Sequence, residues 1–308
     1  MNGRDVIVIG ASAGGIPDLQ TLFRAFKPDL PAAIFVVLHL LPKARSFLPS
    51  ILQKQTLVPV EHAKDGEAIQ TGRAYVAPPD RHLIVESGHV HLTVGPKENR
   101  TRPAINPLFR SAALAYGPRV IGVVLSGILD DGTAGLWEIK RRGGVAVVQL
   151  PEDASHKDMP KSAIANVHVD YQIPVAEMGD LLVSLVGRES KSADTEVEAV
   201  MPEKTRLTCP DCHGPIERFR LGSLTEYKCR VGHAYSPDNM LAAHEDAEER
   251  TLWSAIESLE EGADLADELA GHNGQGESHA LRGSSEAKRA LARAIRKAVE
   301  TSKVKQSA

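Results

Sequence analysis

Gly10-Ala11-Ser12-Ala13-Gly14 fits a Gly-x-Ser-x-Gly pattern, directly after the apolar run Val6-Ile7-Val8-Ile9 and before a helix-like segment. A sharp strand-to-helix turn needs small neighbours, because it pushes the serine outward. It also sets the hydroxyl beside free amides at the helix start, which can stabilise an oxyanion. Ser12 is therefore the candidate nucleophile of an α/β serine hydrolase. The same glycines also read as a degraded dinucleotide-binding turn. Against that, Ser12 replaces the second glycine of the fingerprint, and no acidic residue closes the next strand to read a ribose.

His39 stands at the end of that next strand, after Phe35-Val36-Val37-Leu38. In a parallel sheet the strand C-termini share one edge, so His39 and the Ser12 turn fall on the same rim and His39 can serve as the base. A third member, an acid, comes from Leu125-Ser126-Gly127-Ile128-Leu129-Asp130-Asp131-Gly132, which follows the run Val120–Leu125. Either aspartate could orient the imidazole, and the other could cap the following helix.

A second cluster with its own chemistry lies further on. Cys209-Pro210-Asp211-Cys212, sixteen residues, then Cys229-Arg230-Val231-Gly232-His233 make a Cys3His set. Two close pairs joined by a short β-like segment suit a closed tetrahedral zinc site built by Cys209, Cys212, Cys229 and His233. His213 competes as fourth ligand, at an awkward position adjacent to Cys212. A segment this short has little core, so a metal would supply its folding energy. No cofactor is expected for catalysis itself.

These residues need elements to position them. Continuously apolar runs at Val6–Ile9, Ala33–Leu38, Val120–Leu125 and Val145–Val148 alternate with helical segments at Ile16–Phe26, Pro107–Ala115 and Ala134–Arg142. Strands buried on both faces by crossover helices look like this. The expectation is an α/β fold with a doubly wound, mainly parallel sheet. Leu83–Val94 instead shows two alternating runs around Ser87-Gly88 and predicts an antiparallel hairpin insertion.

The expected organisation is a catalytic domain over 1–187, a polar linker over 188–205, a zinc-ribbon-like module over 206–235, and a helical tail over 236–308. Ser236-Pro237 supplies an N-cap and first-turn proline for a helix to about Ala270. Leu252, Ala255, Leu259, Ala263, Ala266 and Ala270 form its expected seam. After the break Gly271–Gly276, a last helix covers about 284–300. Residues 245–268 hold ten acidic groups and one basic, 282–305 eight basic and two acidic. Opposite charges favour an antiparallel helical hairpin, with a disordered tail as the alternative.

Composition narrows the class. A net charge of −4 gives no global drive toward nucleic acid or membrane. No apolar run is long enough to span a bilayer, and the N-terminus lacks the features of a secretory signal. Three clustered cysteines do not make a disulfide framework, so a reducing cytoplasm is expected.

Taken together, several segments in order resemble the catalytic domain of the chemotaxis protein-glutamate methylesterases (CheB-type). They are Val6–Gly15, His39-Leu40-Leu41-Pro42 with Arg45-Ser46-Phe47, Tyr75–His82, Arg102-Pro103 with Pro107–Ala112, and Leu125-Ser126-Gly127 with Asp131-Gly132. The resemblance covers about 5–187 and implies a triad of Ser12, His39 and Asp131. It implies hydrolysis of glutamate methyl esters on chemoreceptor-like proteins, with glutamine deamidation in some members. The substrate would be a methylated receptor-like protein, with no nucleic acid and no membrane insertion.

Amides near Ala13 and in the Ile128 loop are the oxyanion candidates. Arg81-His82 and Arg100–Arg110 are candidate contacts to an acidic substrate helix. Three features depart from the family: no receiver domain precedes the fold, Ala13 stands where Thr is common, and Ile128-Leu129-Asp130 makes the pocket loop bulkier. Control by phosphorylation in cis is thus not expected. Stand-alone relatives of this type often carry a similar Cys-Pro-x-Cys…Cys-Arg-Val-Gly-His tail, for which docking of partners or regulation is the expected role. The competing reading is a non-catalytic scaffold that keeps the hydrolase fold.

Overall fold

The computed structural model describes residues 3–39, 45–189, 201–272 and 275–306. Leu40-Leu41-Pro42 of the resemblance, most of the expected linker and part of the Gly271–Gly276 break lie outside the described residues. The chain divides into two units, residues 1–240 and 241–308.

The first unit is built on a seven-stranded, all-parallel sheet. Its strands are β1 (Val6–Ala11), β2 (Ala33–Leu38), β3 (Val60–His62), β4 (Arg73–Val76), β7 (Val120–Val124), β8 (Val145–Gln149) and β9 (Tyr171–Ile173), in the order β3-β4-β2-β1-β7-β8-β9. The chain winds outward from β1 to one side and then returns to start the other side at β7. That reversal opens a crevice at the strand C-termini, where open α/β sheets bind ligands.

Continuous apolar runs follow from burial on both faces. Ile7, Ile9, Ile34, Val36, Ile121 and Val123 pack under α1 (Gly15–Phe23), α2 (Leu48–Gln53) and α6 (Val175–Leu185). Val8, Phe35, Val37, Val124 and Val148 point the other way, toward α3 (Ile105–Tyr116), α4 (Thr133–Arg141) and α5 (Asp158–Asn166). The expected doubly wound sheet is present. So is the insertion: β5 (His82–Glu86) and β6 (His89–Thr93) form a separate antiparallel pair whose turn carries Gly88 at φ +84.

The sheet also reaches further than the sequence suggested. The edge strands β3 and β9 are three residues each and half-open to solvent, so they need few apolar residues and gave no clear run. Between β3 and β2, β4 buries only the short stretch Ala74-Tyr75-Val76.

The same unit contains a four-stranded antiparallel sheet: β10 (Glu203–Thr208), β11 (Pro215–Leu221), β12 (Leu224–Cys229) and β13 (Ala234–Tyr235). It packs beside α3, α4 and α5. Gly222 in the β11–β12 turn lies against the Trp137 ring of α4, and Ser223 Oγ donates to the Asn166 carbonyl. Ser236 N-caps α7 (Pro237–His272) by accepting the Asn239 amide at 3.2 Å, as its sequence predicted.

The second unit takes α7 from residue 241 and α8 (Gln275–Gln306). Arg289 pairs with Asp264 and Asp267, and Arg296 with Glu260, so rising numbers on one helix meet falling numbers on the other. The pairing is antiparallel, and its solvent-exposed ion pairs, screened by water, contribute little each. The apolar seam differs in part from expectation. Ala263, Ala266 and Ala270 are buried, but Ile256 is buried as well while Leu252 stays 39% exposed.

One contact links the sheet to the site. A side chain at Gly10 would place its Cβ 2.4 Å from Ile105 Cγ2, at the start of α3. Gly10→Ala should therefore push α3 outward and cost about 1–3 kcal/mol. Urea unfolding should show a lower midpoint with an unchanged slope.

Candidate active site and Cys3His cluster

Ser12 leaves β1 into a turn held at both ends. Its amide donates to the Ser126 carbonyl at 2.9 Å, and its carbonyl accepts the Gly15 amide at 3.0 Å. Gly14 sits at φ +78, and a Cβ there would meet Ser126 Oγ and Ser155 Cβ at 2.7 Å. Only glycine meets both conditions. Ser126 locks the far wall: its hydroxyl donates to the Ala13 carbonyl and accepts the His156 amide, both at 2.8 Å.

His39 emerges from the neighbouring strand β2, its amide bonded to the Ala11 carbonyl. Its Nδ1 lies 3.0 Å from Ser12 Oγ and its Nε2 2.8 Å from Asp131 Oδ2. Ionised Asp131 can only accept, so Nε2 carries the proton and Nδ1 is free to accept from the Ser12 hydroxyl. The imidazole side chain is 14% exposed, and Asp131 is 2% exposed. Ser12, Ala13, Gly14, Ile16, Pro17, Leu38 and His39 line an open depression of about 480 Å³.

Asp131 follows β7 and meets the N-terminus of α3. It accepts from the amides of Ile105 (2.6 Å), Asn106 (3.3 Å) and Gly132 (3.0 Å), and from Asn99 Nδ2 (3.0 Å). Burial disfavours its charge. The His39 and amide hydrogen bonds outweigh burial and hold the carboxyl below the usual range.

The choice between the two aspartates is thus decided by geometry, and the second does not cap α4 with its side chain. Asp130 Oδ1 instead accepts from Ser236 Oγ (2.7 Å) and Asn239 Nδ2 (2.5 Å). The α4 N-terminus is served by Asn106 Oδ1, which accepts the amides of Gly132 and Gly135. Neither Asn99 nor Asn106 carried a sequence signal. Their partners lie 25 to 137 positions away, and an isolated Asn looks like any loop residue.

Two of the expected substrate-contact residues are already committed. Arg110 pairs with Glu98 and with Glu226 of β12, and Arg102 with Asp80 and the carbonyls of Val94 and Gly95. His82 is buried, bonded to the Pro96 carbonyl and the Ala104 amide, and burial lowers its pKa. Among the described residues, the Ala13 and Ile128 amides have no hydrogen-bond partner.

In the small sheet, Cys209, Cys212, Cys229 and His233 converge, their ligand atoms all within 4.8 Å of one another. Cys212 Sγ and Cys229 Sγ are 3.6 Å apart, and His233 Nδ1 is 3.7 Å from Cys209 Sγ and 3.6 Å from Cys229 Sγ. Ligands at zinc–sulfur distance in a tetrahedron are about 3.8 Å apart, so the donor set fits that ion. His213 is not part of the cluster. It sits at φ +59 in the first knuckle turn, its amide on the Cys209 carbonyl.

A serine, a histidine and an aspartate bonded in series across three parallel strand ends have the layout of an α/β serine hydrolase. Residues 7–182 match the model of the CheB methylesterase family, and the chain belongs to that family. The catalytic domain of the CheB methylesterase of Thermotoga maritima superposes with a TM-score of 0.57 at 33% identity, covering 60% of this chain and all of that one. A protein-glutamate methylesterase/protein-glutamine glutaminase of Methanosarcina mazei is 35% identical over 191 residues, 59% of this chain and 52% of that protein. A putative enzyme of the same description from Leptospira interrogans is 36% identical over 182 residues, 59% of this chain and 94% of that protein. The chain thus spans about half the length of the first relative and nearly all of the second.

Asp130 offers a pH test of the site. Burial, opposed by the hydrogen bonds from Ser236 and Asn239, pushes its carboxyl up to about 6. Between the ordinary carboxylate range and about pH 6 the folded protein keeps a proton that the unfolded chain has lost. Stability from this group therefore falls as pH rises through that window. Asp130→Asn should gain about 1–3 kcal/mol over the wild type between about pH 4 and pH 7.5. Parallel urea titrations at the two pH values measure the difference, and a pH-independent difference would contradict the shift.

Proposed function

We propose that this protein is a serine hydrolase that removes methyl esters from glutamate side chains of chemoreceptor-like signalling proteins and deamidates glutamine at the same site. The observation that carries the reading is the hydrogen-bonded series Ser12 Oγ–His39–Asp131 at the rim of an open depression. A protein-borne ester needs such an accessible site, because the substrate side chain arrives attached to a helix.

His39 Nδ1 takes the proton as Ser12 Oγ attacks the ester carbonyl. The unpartnered amides of Ala13 and Ile128 are the candidate donors to the oxyanion. The tetrahedral intermediate collapses to an acyl-enzyme as methanol leaves with the proton from His39. Water then repeats the sequence and frees the carboxylate. With glutamine, ammonia is the leaving group. Asp131 holds the imidazole tautomer and stabilises the imidazolium.

The reading assigns 1–187 to catalysis, 188–205 to a linker, 206–235 to a zinc-ribbon-like module and 236–308 to the helical hairpin. It places the protein in the cytoplasm, where reduced thiols hold a structural zinc on Cys209, Cys212, Cys229 and His233. The module would dock partners or regulate the enzyme.

Two experiments test this. A fluorophosphonate probe should label Ser12, and Ser12→Ala should abolish labelling and lower methanol release from methylated receptor by at least ~10⁴-fold. Unlabelled wild-type protein would leave a scaffold retaining the fold. Metal analysis should find about one zinc per chain, and Cys209→Ser should lose it and destabilise the module. Less than about 0.2 equivalents with all thiols free would falsify the zinc assignment.

A further inference from the structure

The Cys3His sheet and the buried acid beside His39 are linked through one side chain. Asn99 is 4% exposed and sits at φ +48. Its Nδ2 donates to Asp131 Oδ1 at 3.0 Å, and its Oδ1 accepts the backbone amide of Ser236 at 2.9 Å. Its own amide donates to the Ala234 carbonyl at 2.8 Å. Ala234 directly follows His233, whose carbonyl is bonded to the Cys229 amide. From a cluster ligand to the acid, the path is two residues of β13 and one carboxamide.

A second contact grips the neighbouring residue. Ser236 Oγ and Asn239 Nδ2 both donate to Asp130, one position before Asp131 in the loop after β7. A third backs the first: Arg110 of α3 bridges Glu98, next to Asn99, to Glu226 of β12. The segment 234–239 therefore holds the acid-bearing loop from both sides. A buried carboxamide deprived of one partner loses its fixed orientation and pays for the unmet group. Without the Ser236 amide, Asn99 has no reason to keep its Nδ2 on Asp131.

We propose that the Cys3His module braces the acid of the triad, with Asn99 as the positioning residue, so that metal-dependent order of the module sets turnover at Ser12. This rests on the esterase and metal readings above and goes beyond them. It makes a module without a reacting group a control on the rate.

The test uses the full chain, zinc-loaded and chelator-stripped, in wild type and Asn99→Ala. The first readout is hydrogen exchange over 98–106 and 130–136, which include the amides bonded to Asp131. Stripping should speed exchange there about tenfold while β1 keeps its protection. The second is hydrolysis of p-nitrophenyl acetate. Stripping should lower kcat about tenfold with KM within about twofold, and Asn99→Ala should do the same while keeping its zinc. The two losses should not add, because they remove the same restraint.

Unchanged exchange over those segments, with residues 206–235 opened by the chelator, overturns the proposal. So does full additivity of the two kcat losses. Zinc-loaded wild-type protein that neither turns over the ester nor takes the fluorophosphonate probe defeats the esterase reading instead, and exchange alone then decides the brace.

Discussion

A buried carboxylate that must stay ionised organises this protein. Asp131 is almost wholly removed from water, and the cost of burying its charge is met by the amides of Ile105, Asn106 and Gly132, by Asn99 and by His39. Two of these donors, the amides of Ile105 and Asn106, depend on where α3 starts. The start of α3 depends on Gly10, which lets Ile105 lie against β1. The sheet, the helix and the charge are one arrangement, and moving any of them exposes or strands the carboxylate.

The neighbouring aspartate shows how far a one-residue step can change a role. Asp130 and Asp131 are neighbours in one loop, Asp131 buried and Asp130 partly so, yet their carboxyls move in opposite directions. Asp131 has a cationic-capable ring and several amides, which favour its charge. Asp130 has two neutral donors from Ser236 and Asn239 and stays nearer its protonated form. The first is bonded to His39, the second to Ser236 and Asn239 beside the Cys3His sheet.

Arg110 makes a related point about charge. On the helix surface its type and position suggested a substrate contact, but Glu98 and Glu226 claim it. The covering sheet leaves this cation half-buried and paired. That leaves the rim near Ser12 mainly apolar, with Ile16 and Ile128 partly exposed.

Much of this was legible in the chain by itself. Continuous β-branched runs separated by helical segments determined a parallel, two-faced sheet, since each run needs cover on both sides. The small residues around Ser12 marked the turn, His39 closed the next run, and the Cys and His spacing marked the cluster. Those signals are local, written within a few residues of one another. Spacing left both aspartates open, and the family resemblance pointed to Asp131. The tertiary structure alone decided which imidazole nitrogen faces Ser12 and that Asn99 joins the acid to the Cys3His sheet. Each depends on groups far apart in sequence meeting at hydrogen-bonding distance, and linear spacing does not encode that geometry.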